Sequence, residues 1–178
     1  MTIHSSHPFT GPADAPDAVR QLRGRIGGVV TLWTTGTGDA RSGLTVSSVM
    51  VARGDEGRFL ALVDPLSDFA DEFDRTGRAV VHLLRWHHRE LADVFAGLTP
   101  APGGAFASAD FDDVSHGPRL VSAGSWAQVE REQAHEVGWS TLYTCRIVEA
   151  HVEDEDDPLV HRRGRYRRAA DAQGTFEQ

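Results

Sequence analysis

The sequence predicts a mainly β domain, a β-barrel with short helices, and three observations carry that prediction. Three strand-like segments follow one another between residues 27 and 64, with only turn signals between them. Helical spacing of apolar residues is confined to short segments. The turn GTGDARSG at 36–43 lacks both the GxGxxG spacing and the helix that follow the first strand of a dinucleotide-binding unit. A βαβ fold is therefore disfavoured, and a β-barrel or an α+β domain remains.

The first third of the chain contains one short helix and three strands. Asp14 is placed to cap a helix over 15–24. The β-branched and aromatic run at 27–35 is the first strand, and the segments 44–52 and 59–64 are the second and third. Tight turns join the three, which predicts an antiparallel meander.

The middle of the chain changes from a strand period to a helix period. Ser67 precedes a helix predicted over 68–75, which Gly77 ends. A strand over 78–84 leads to a second helix over 89–97. The remaining strand candidates lie in three segments: 118–133, 139–152 and the closing run PLVHRRGRYR at 158–167.

Composition bounds the classes of function. The 178 residues predict one domain over 14–168, with an N-terminal arm at 1–13 and a C-terminal tail at 169–178. A formal net charge of −8 disfavours nucleic-acid binding. Cys145 is the only cysteine and lies in an apolar run, which predicts a buried thiol and excludes a cysteine zinc cluster. No metal site, membrane span or secretion signal is indicated, and we expect a cytoplasmic protein.

Hydroxyl side chains cluster in the second strand, in the stretch RSGLTVSSVM at 41–50. Strand alternation places Thr45 and Ser47 on one face and Val46 and Ser48 on the other. A strand solvated on one face explains such a cluster. A ligand that needs an apolar wall and hydroxyl donors explains it equally well.

The order of three motifs decides between these explanations. GLTVSSVM at 43–50, LADVFAG at 91–97 and the closing PLVHRRGRY at 158–166 together resemble the flavin-reductase branch of the FMN-binding split-barrel family, over roughly residues 18–168. The resemblance implies a six-stranded antiparallel split barrel that works as a homodimer, with flavin at the interface. It implies reduction of FMN or FAD by NADH or NADPH, often to supply a partner monooxygenase.

The resemblance also implies roles for individual residues. The flavin N5 carries the chemistry, so no catalytic side chain is required, although His82 and His161 are candidates at the rim. Ser67 with Arg85 or Arg89 is implied at the phosphate. Trp86 and Trp126 are candidates for the dimer interface. The remaining implied flavin contacts are Thr45, Val46, Ser47, Ser48 and Tyr166.

The chain departs from the family pattern at Gly138-Trp139-Ser140. The family often has Gly-Asp-His there, with the histidine near the nicotinamide. Trp139 would either stack on a ring or block the nicotinamide. This departure keeps two alternatives open. One is a flavin- or deazaflavin-binding protein without efficient NAD(P)H turnover, and the other is a small β-barrel that binds haem or another ligand.

Overall fold

The computed structural model describes residues 17–154 and 157–168. The predicted arm at 1–13, the cap Asp14 and the tail at 169–178 lie outside these residues. The helices of the described residues are α1 Ala18–Ile26, α2 Asp68–Thr76 and α3 Arg89–Phe95. The strands are β1 Gly28–Val29, β2 Thr31–Thr35, β3 Ser42–Val46, β4 Val49–Ala52, β5 Arg58–Val63, β6 Arg78–Leu83, β7 Phe111–Val114, β8 Gly117–Leu120, β9 Trp126–Val137, β10 Ser140–His151, β11 Leu159–Arg162 and β12 Arg165–Arg168.

Local side chains set the helix ends. α1 begins after Asp17, whose carboxylate accepts hydrogen bonds from the N–H groups of the second and third helical residues at 3.0 and 3.1 Å. α2 begins after Ser67, whose Oγ accepts from the Ala70 N–H at 3.2 Å. α2 ends at Gly77, where a φ of 66° favours glycine. The structure thus confirms the helix predicted at 68–75.

The main sheet rolls up because its two edge strands are consecutive in the chain. Its seven strands run in the order β3-β2-β6-β9-β10-β5-β4, and every pairing is antiparallel. β3 and β4 therefore lie at opposite edges, although only Ser47 and Ser48 separate them. This arrangement is a split barrel, as expected. It has seven strands in the described residues rather than the expected six, and the predicted strand over 44–52 is broken at these two serines.

A second sheet covers one end of the barrel. β1 pairs with β11, and β11 pairs with β12, so the last two strands form a closing hairpin over 159–168. The strand predicted over 27–35 is two strands, because Val30 leaves the main sheet and donates its N–H to the Leu159 carbonyl. The N-terminal and C-terminal segments of the domain therefore meet.

Aromatic side chains fill the barrel. Trp33 makes edge-on contacts with Phe59, Phe69 and Phe73, and Phe73 packs edge-on against Tyr143. Cys145 is buried in the same core, as predicted, and burial raises the pKa of its thiol to about 12. A second apolar cluster under α3 and the closing hairpin contains Leu32, Leu84, Leu91, Phe95 and Leu159.

The rim position expected for His82 is wrong. Its ring is fully buried, with Nδ1 2.9 Å from the Leu32 carbonyl oxygen. The Leu120 N–H donates to Nε2 at 3.0 Å. Nδ1 therefore carries the proton and donates to Leu32, and the neutral ring joins β2 to β8. Burial lowers the pKa of His82 to about 4.

We expect the protein to lose stability as the pH falls below about 6.5. Burial also lowers the pKa of His88 to about 4. At pH values between the folded pKa of about 4 and the unfolded pKa of 6.5, each of these histidines binds more protons in the unfolded chain. Protonation therefore favours unfolding, and it lowers the free energy of unfolding by about 3 kcal/mol for each ring. Chemical denaturation at a series of pH values measures how the free energy of unfolding changes with pH. We expect H82N to reduce this pH dependence by about half. A free energy of unfolding that stays constant between pH 7 and 5 contradicts the expectation.

Candidate functional site

The residues of the hydroxyl-rich segment have different surroundings. The Thr45 Oγ1 donates a hydrogen bond of 2.8 Å to the Ala92 carbonyl, so it ties β3 to α3. The side chain of Val46 is buried in the barrel core. Val46 thus faces away from the groove, and a ligand contact from its side chain is excluded. Ser47 and Ser48 remain as candidate donors.

Ser47 and Ser48, which we call the barrel split, present unused hydrogen-bond donors. Both residues are half-buried and lie outside the strand ladders. The Ser48 carbonyl accepts from the Leu62 N–H at 3.0 Å. Within 17–154 and 157–168, no partner accepts from the backbone N–H or the hydroxyl of either serine. Half-buried donors without a protein partner bond water, and a ligand bound at the split could take the place of that water.

The closing hairpin lies against the barrel split through Gly28. Gly28 pairs with His161 of the hairpin. A Cβ atom on Gly28 would lie 2.5 Å from the Ser47 carbonyl oxygen, so only glycine allows this approach. The backbone of His161 is thereby paired with the strand residue that approaches Ser47.

Asp93 of α3 acts on both hairpin residues of this place. Burial raises the pKa of Tyr166, and the nearby Asp93 carboxylate raises it further. The rings of Tyr166 and His161 meet edge-on, 5.8 Å apart. Burial lowers the pKa of His161, and the positive charge of Arg23 lowers it further, whereas Asp93 opposes the change. His161 is therefore neutral at neutral pH.

The three motifs of the sequence thus meet at one place. GLTVSSVM supplies the barrel split, LADVFAG supplies Asp93, and the closing motif supplies His161 and Tyr166. Sequence reasoning missed Gly28, Asp93 and Arg23 as individual residues. Asp93 lies inside LADVFAG, one of the three motifs that carry the family resemblance, so the sequence did indicate its importance. Nothing in the sequence indicated that Gly28 or Arg23 approaches the hairpin.

The implied phosphate residues are not brought together. The Ser67 Oγ donates to the Asp64 carbonyl at 2.7 Å and accepts from Ala70, so the hydroxyl is already used. Arg85 forms an ion pair of 3.1 Å with Glu153, and Arg89 pairs with its neighbour Glu90. Among the described residues, the Ser67 hydroxyl bonds Asp64 and Ala70 and neither of these arginines.

A surface depression of about 440 Å³ lies beside the first turns of α2. Its lining is acidic: Asp39, Ala40, Arg41, Ser42, Asp68, Asp71, Glu72 and Arg75. Arg75 is paired with Glu72 at 2.6 Å and Arg41 with Asp113 at 2.8 Å. The lining therefore carries four carboxylates and two arginines, so the depression is net acidic beside the start of α2.

Trp139 and the buried His88 lie on different elements of the fold. Trp139 is 62% exposed at the tip of the β9–β10 hairpin, and Thr141 pairs with Val63 at the end of β5. His88 is buried, and its Nδ1 accepts from the Arg85 N–H. His88 Nε2 therefore carries the proton and donates to the Ser122 Oγ at 3.0 Å. Because its lone pair is used, His88 cannot act as a base toward Ser122.

Comparisons with known proteins agree with this arrangement. A family described as flavin reductase like domain matches residues 23–170. An FMN reductase (NADH) RutF from Ancylobacter novellus is 28% identical over 138 residues, 77% of this chain and 76% of the relative. The NADH:FAD oxidoreductase SgcE6 from Streptomyces globisporus has a TM-score of 0.76 at 21% identity, over 89% of this chain and 98% of that one. Nitrilotriacetate monooxygenase component B from Mycobacterium thermoresistibile has a TM-score of 0.77 at 20% identity, over 90% and 89%.

The effect of Asp93 on Tyr166 is directly testable, because the chain has two tyrosines, and the other, Tyr143, is bonded to Asp74. We expect D93N to lower the pKa of Tyr166 toward its ordinary value without reaching it, because the burial remains. The ultraviolet absorbance of tyrosinate, recorded in a Y143F background, measures this shift. D74N is the matched control, since Asp74 bonds Tyr143 instead. An unchanged Tyr166 titration in D93N would show that the contact is absent.

Proposed function

The chain belongs to the flavin reductase-like domain family, and on that premise we propose that it is an NAD(P)H-dependent flavin reductase that takes FMN or FAD. The observation that carries the proposal is the barrel split, with its half-buried donors beside the closing hairpin. A flavin ring needs hydrogen-bond donors at its carbonyl edge and an apolar wall at its other edge. The family match extends over the three motifs that build this place.

The residues present fit a flavin ring. The N–H and hydroxyl groups of Ser47 and Ser48 would hold its pyrimidine edge, where carbonyl oxygens need donors. Tyr166 and the neutral His161 would form the wall on the hairpin side. Asp93 would keep Tyr166 in position, and Thr45 would keep α3 against β3. When bound, the flavin supplies hydride acceptance at N5.

The relatives support the choice of substrate and partner. One is named as an NADH-dependent FMN reductase and another as an NADH:FAD oxidoreductase. A third is named as component B of a monooxygenase. We therefore propose NADH or NADPH as donor and a separate monooxygenase as the consumer of reduced flavin. Within the described residues no helix is long and apolar enough to cross a membrane. The cytoplasmic location expected from the sequence stays a prediction.

A second function has its own supporting observation. Trp139 and Ser140 stand where the family often has an aspartate and a histidine near the nicotinamide. Trp139 is exposed at a hairpin tip next to the end of β5, so it can approach a ring bound at this end of the barrel. A flavin- or deazaflavin-binding protein without efficient NAD(P)H turnover would have such a replacement.

We also propose that the protein is a homodimer with the flavin between the subunits. Cross-strand pairing places Met50 beside Leu60 and Leu62 beside Leu142, on the outer face of the sheet. Met50 is 66% exposed and Leu62 is 38% exposed. An apolar outer face of this kind marks an association surface. It reaches the barrel split, because the Leu62 N–H bonds the Ser48 carbonyl.

Flavin titration followed by nicotinamide addition tests the proposed reaction. We expect FMN fluorescence to be quenched with saturation, and the bound flavin to bleach when NADH or NADPH is added without oxygen. S47A/S48A weakens FMN binding by about tenfold, because each lost hydrogen bond contributes about 0.5–1.5 kcal/mol. S42A, in the adjoining strand β3, is the matched control. Binding without bleaching supports the second function, and no binding of any flavin rules out both.

Sedimentation or light scattering tests the dimer. We expect the protein to have twice the mass of one chain, and M50D/L62D to be a monomer, because each subunit would bury two carboxylates in the interface. L98D is the control, since Leu98 is 73% exposed in a different part of the surface. A monomeric wild-type protein contradicts the shared site.

A further inference from the structure

The first helix turns its apolar side away from the domain that carries it. Val19, Leu22 and Ile26 of α1 share one side of the helix, which we call the apolar stripe, and they are 76%, 61% and 76% exposed. Gly24 contacts the closing hairpin, because its carbonyl accepts from the Arg163 N–H at 2.8 Å. Residues two apart in a helix lie on nearly opposite sides, so Leu22 and Ile26 point away from the hairpin.

A helix as short as α1 needs packing on its apolar side. Isolated helices of fewer than about 12–15 residues are marginal in water, and most helices in proteins are stabilised by burial of an apolar face. α1 has nine residues, and none of them is buried. Nothing among the described residues covers the apolar stripe, so a contact outside them has to supply the burial.

A second apolar surface of the subunit is also uncovered. Met50, Leu60, Leu62 and Leu142 form it on β4, β5 and β10, and we call it the outer sheet face. The helices of the described residues pack elsewhere: α1 against β11, α2 against β2 and β3, and α3 against β3. An apolar sheet face normally packs against another layer of structure. The subunit thus has an apolar helix side without a sheet and an apolar sheet face without a helix.

The barrel split lies between these two surfaces. Gly28 follows the apolar stripe by two residues, and a Cβ atom there would lie 2.5 Å from the Ser47 carbonyl oxygen. On the other side, the Ser48 carbonyl accepts from the Leu62 N–H at 3.0 Å. A two-fold axis that passes beside the split would therefore place the stripe of each subunit on the outer sheet face of the other. Such a contact forms twice and closes, so it gives a dimer and no filament.

We propose that α1 of each subunit packs its apolar stripe on the outer sheet face of the partner subunit and thereby covers the partner's barrel split. This inference rests on the proposed function, because it takes the homodimer and the flavin at the split as given. It adds that one subunit alone has an incomplete flavin site. One chain supplies Ser47 and Ser48, and α1 of the other chain encloses them. Both surfaces are aliphatic, which suits a permanent interface.

Cross-linking between two differently tagged copies tests this placement. Cys145 is buried, and burial raises the pKa of its thiol to about 12, so introduced cysteines react without background. I26C with one tag is co-expressed with M50C with another, and the protein is treated with a short bismaleimide. We expect the mixed product to exceed both products of like chains. L98C with M50C is the matched control and gives no mixed product, since Leu98 follows α3 and lies on neither surface.

A second variant tests whether the partner's helix completes the flavin site. We expect V19D/I26D to be a monomer that binds FMN about tenfold more weakly, because water then competes for the donors of the split. Its fold is expected to survive, since no residue of α1 is buried, and circular dichroism checks this. L98D/V121D is the matched control, because it replaces two other exposed aliphatic side chains and keeps the dimer.

The outcomes separate this inference from the proposed function. If the wild type is a dimer but I26C and M50C give no mixed product, the dimer uses another arrangement and the inference is wrong. If I26C in the dimer reacts with maleimide as fast as in unfolded protein, the stripe faces solvent and is left for a membrane or another protein, which also overturns it. If monomeric V19D/I26D binds FMN like the wild type, the partner does not complete the site. A monomeric wild type that reduces flavin overturns the inference and the dimer, whereas the reductase function stands. If the wild type binds no flavin, the proposed function fails, and the cross-link still decides where α1 lies.

Discussion

One constraint governs this fold: a single segment of chain supplies both edges of the main sheet. β3 and β4 are separated by two residues, yet they lie at opposite edges of seven strands. The sheet can satisfy this only by curling until its edges meet. The backbone must leave one ladder and enter the other at Ser47 and Ser48, so the amides of these residues cannot join either. The donors that a ligand could use are thus a consequence of closing the barrel.

The elements around the split have one shared effect, which is to hold other side chains beside these donors. Gly28 allows β1 to approach Ser47 closely, and β1 brings His161 with it. Thr45 fastens α3, and Asp93 of α3 lies close enough to Tyr166 to raise its pKa. None of these groups needs to exchange a proton with a substrate. They orient and enclose, which is the contribution a protein makes when a cofactor carries the redox chemistry.

The sequence predicted much of this fold, and the reasons for its failures are physical. The helix after Ser67 and the burial of Cys145 followed from local caps and apolar runs, so local rules sufficed. The break at Ser47 was missed because alternation continues through it, and only the closure of the sheet reveals it. His82 was misplaced because its two ring bonds connect residues distant in sequence. The acidic surroundings of the Ser67 loop were only partly visible in the sequence, because residues 39–42 join Asp68 and Asp71 only when α2 packs beside them.

Amide hydrogen exchange, measured residue by residue with and without FMN, tests the central claim most directly. If the flavin binds at the barrel split, exchange at Ser47 and Ser48 slows markedly when FMN is added, since their N–H groups gain an acceptor. Amides of α3 and of the closing hairpin slow with them, because these elements enclose the ligand. Slowing confined to the first turns of α2 and residues 39–42, with Ser47 and Ser48 unaffected, would contradict the claim.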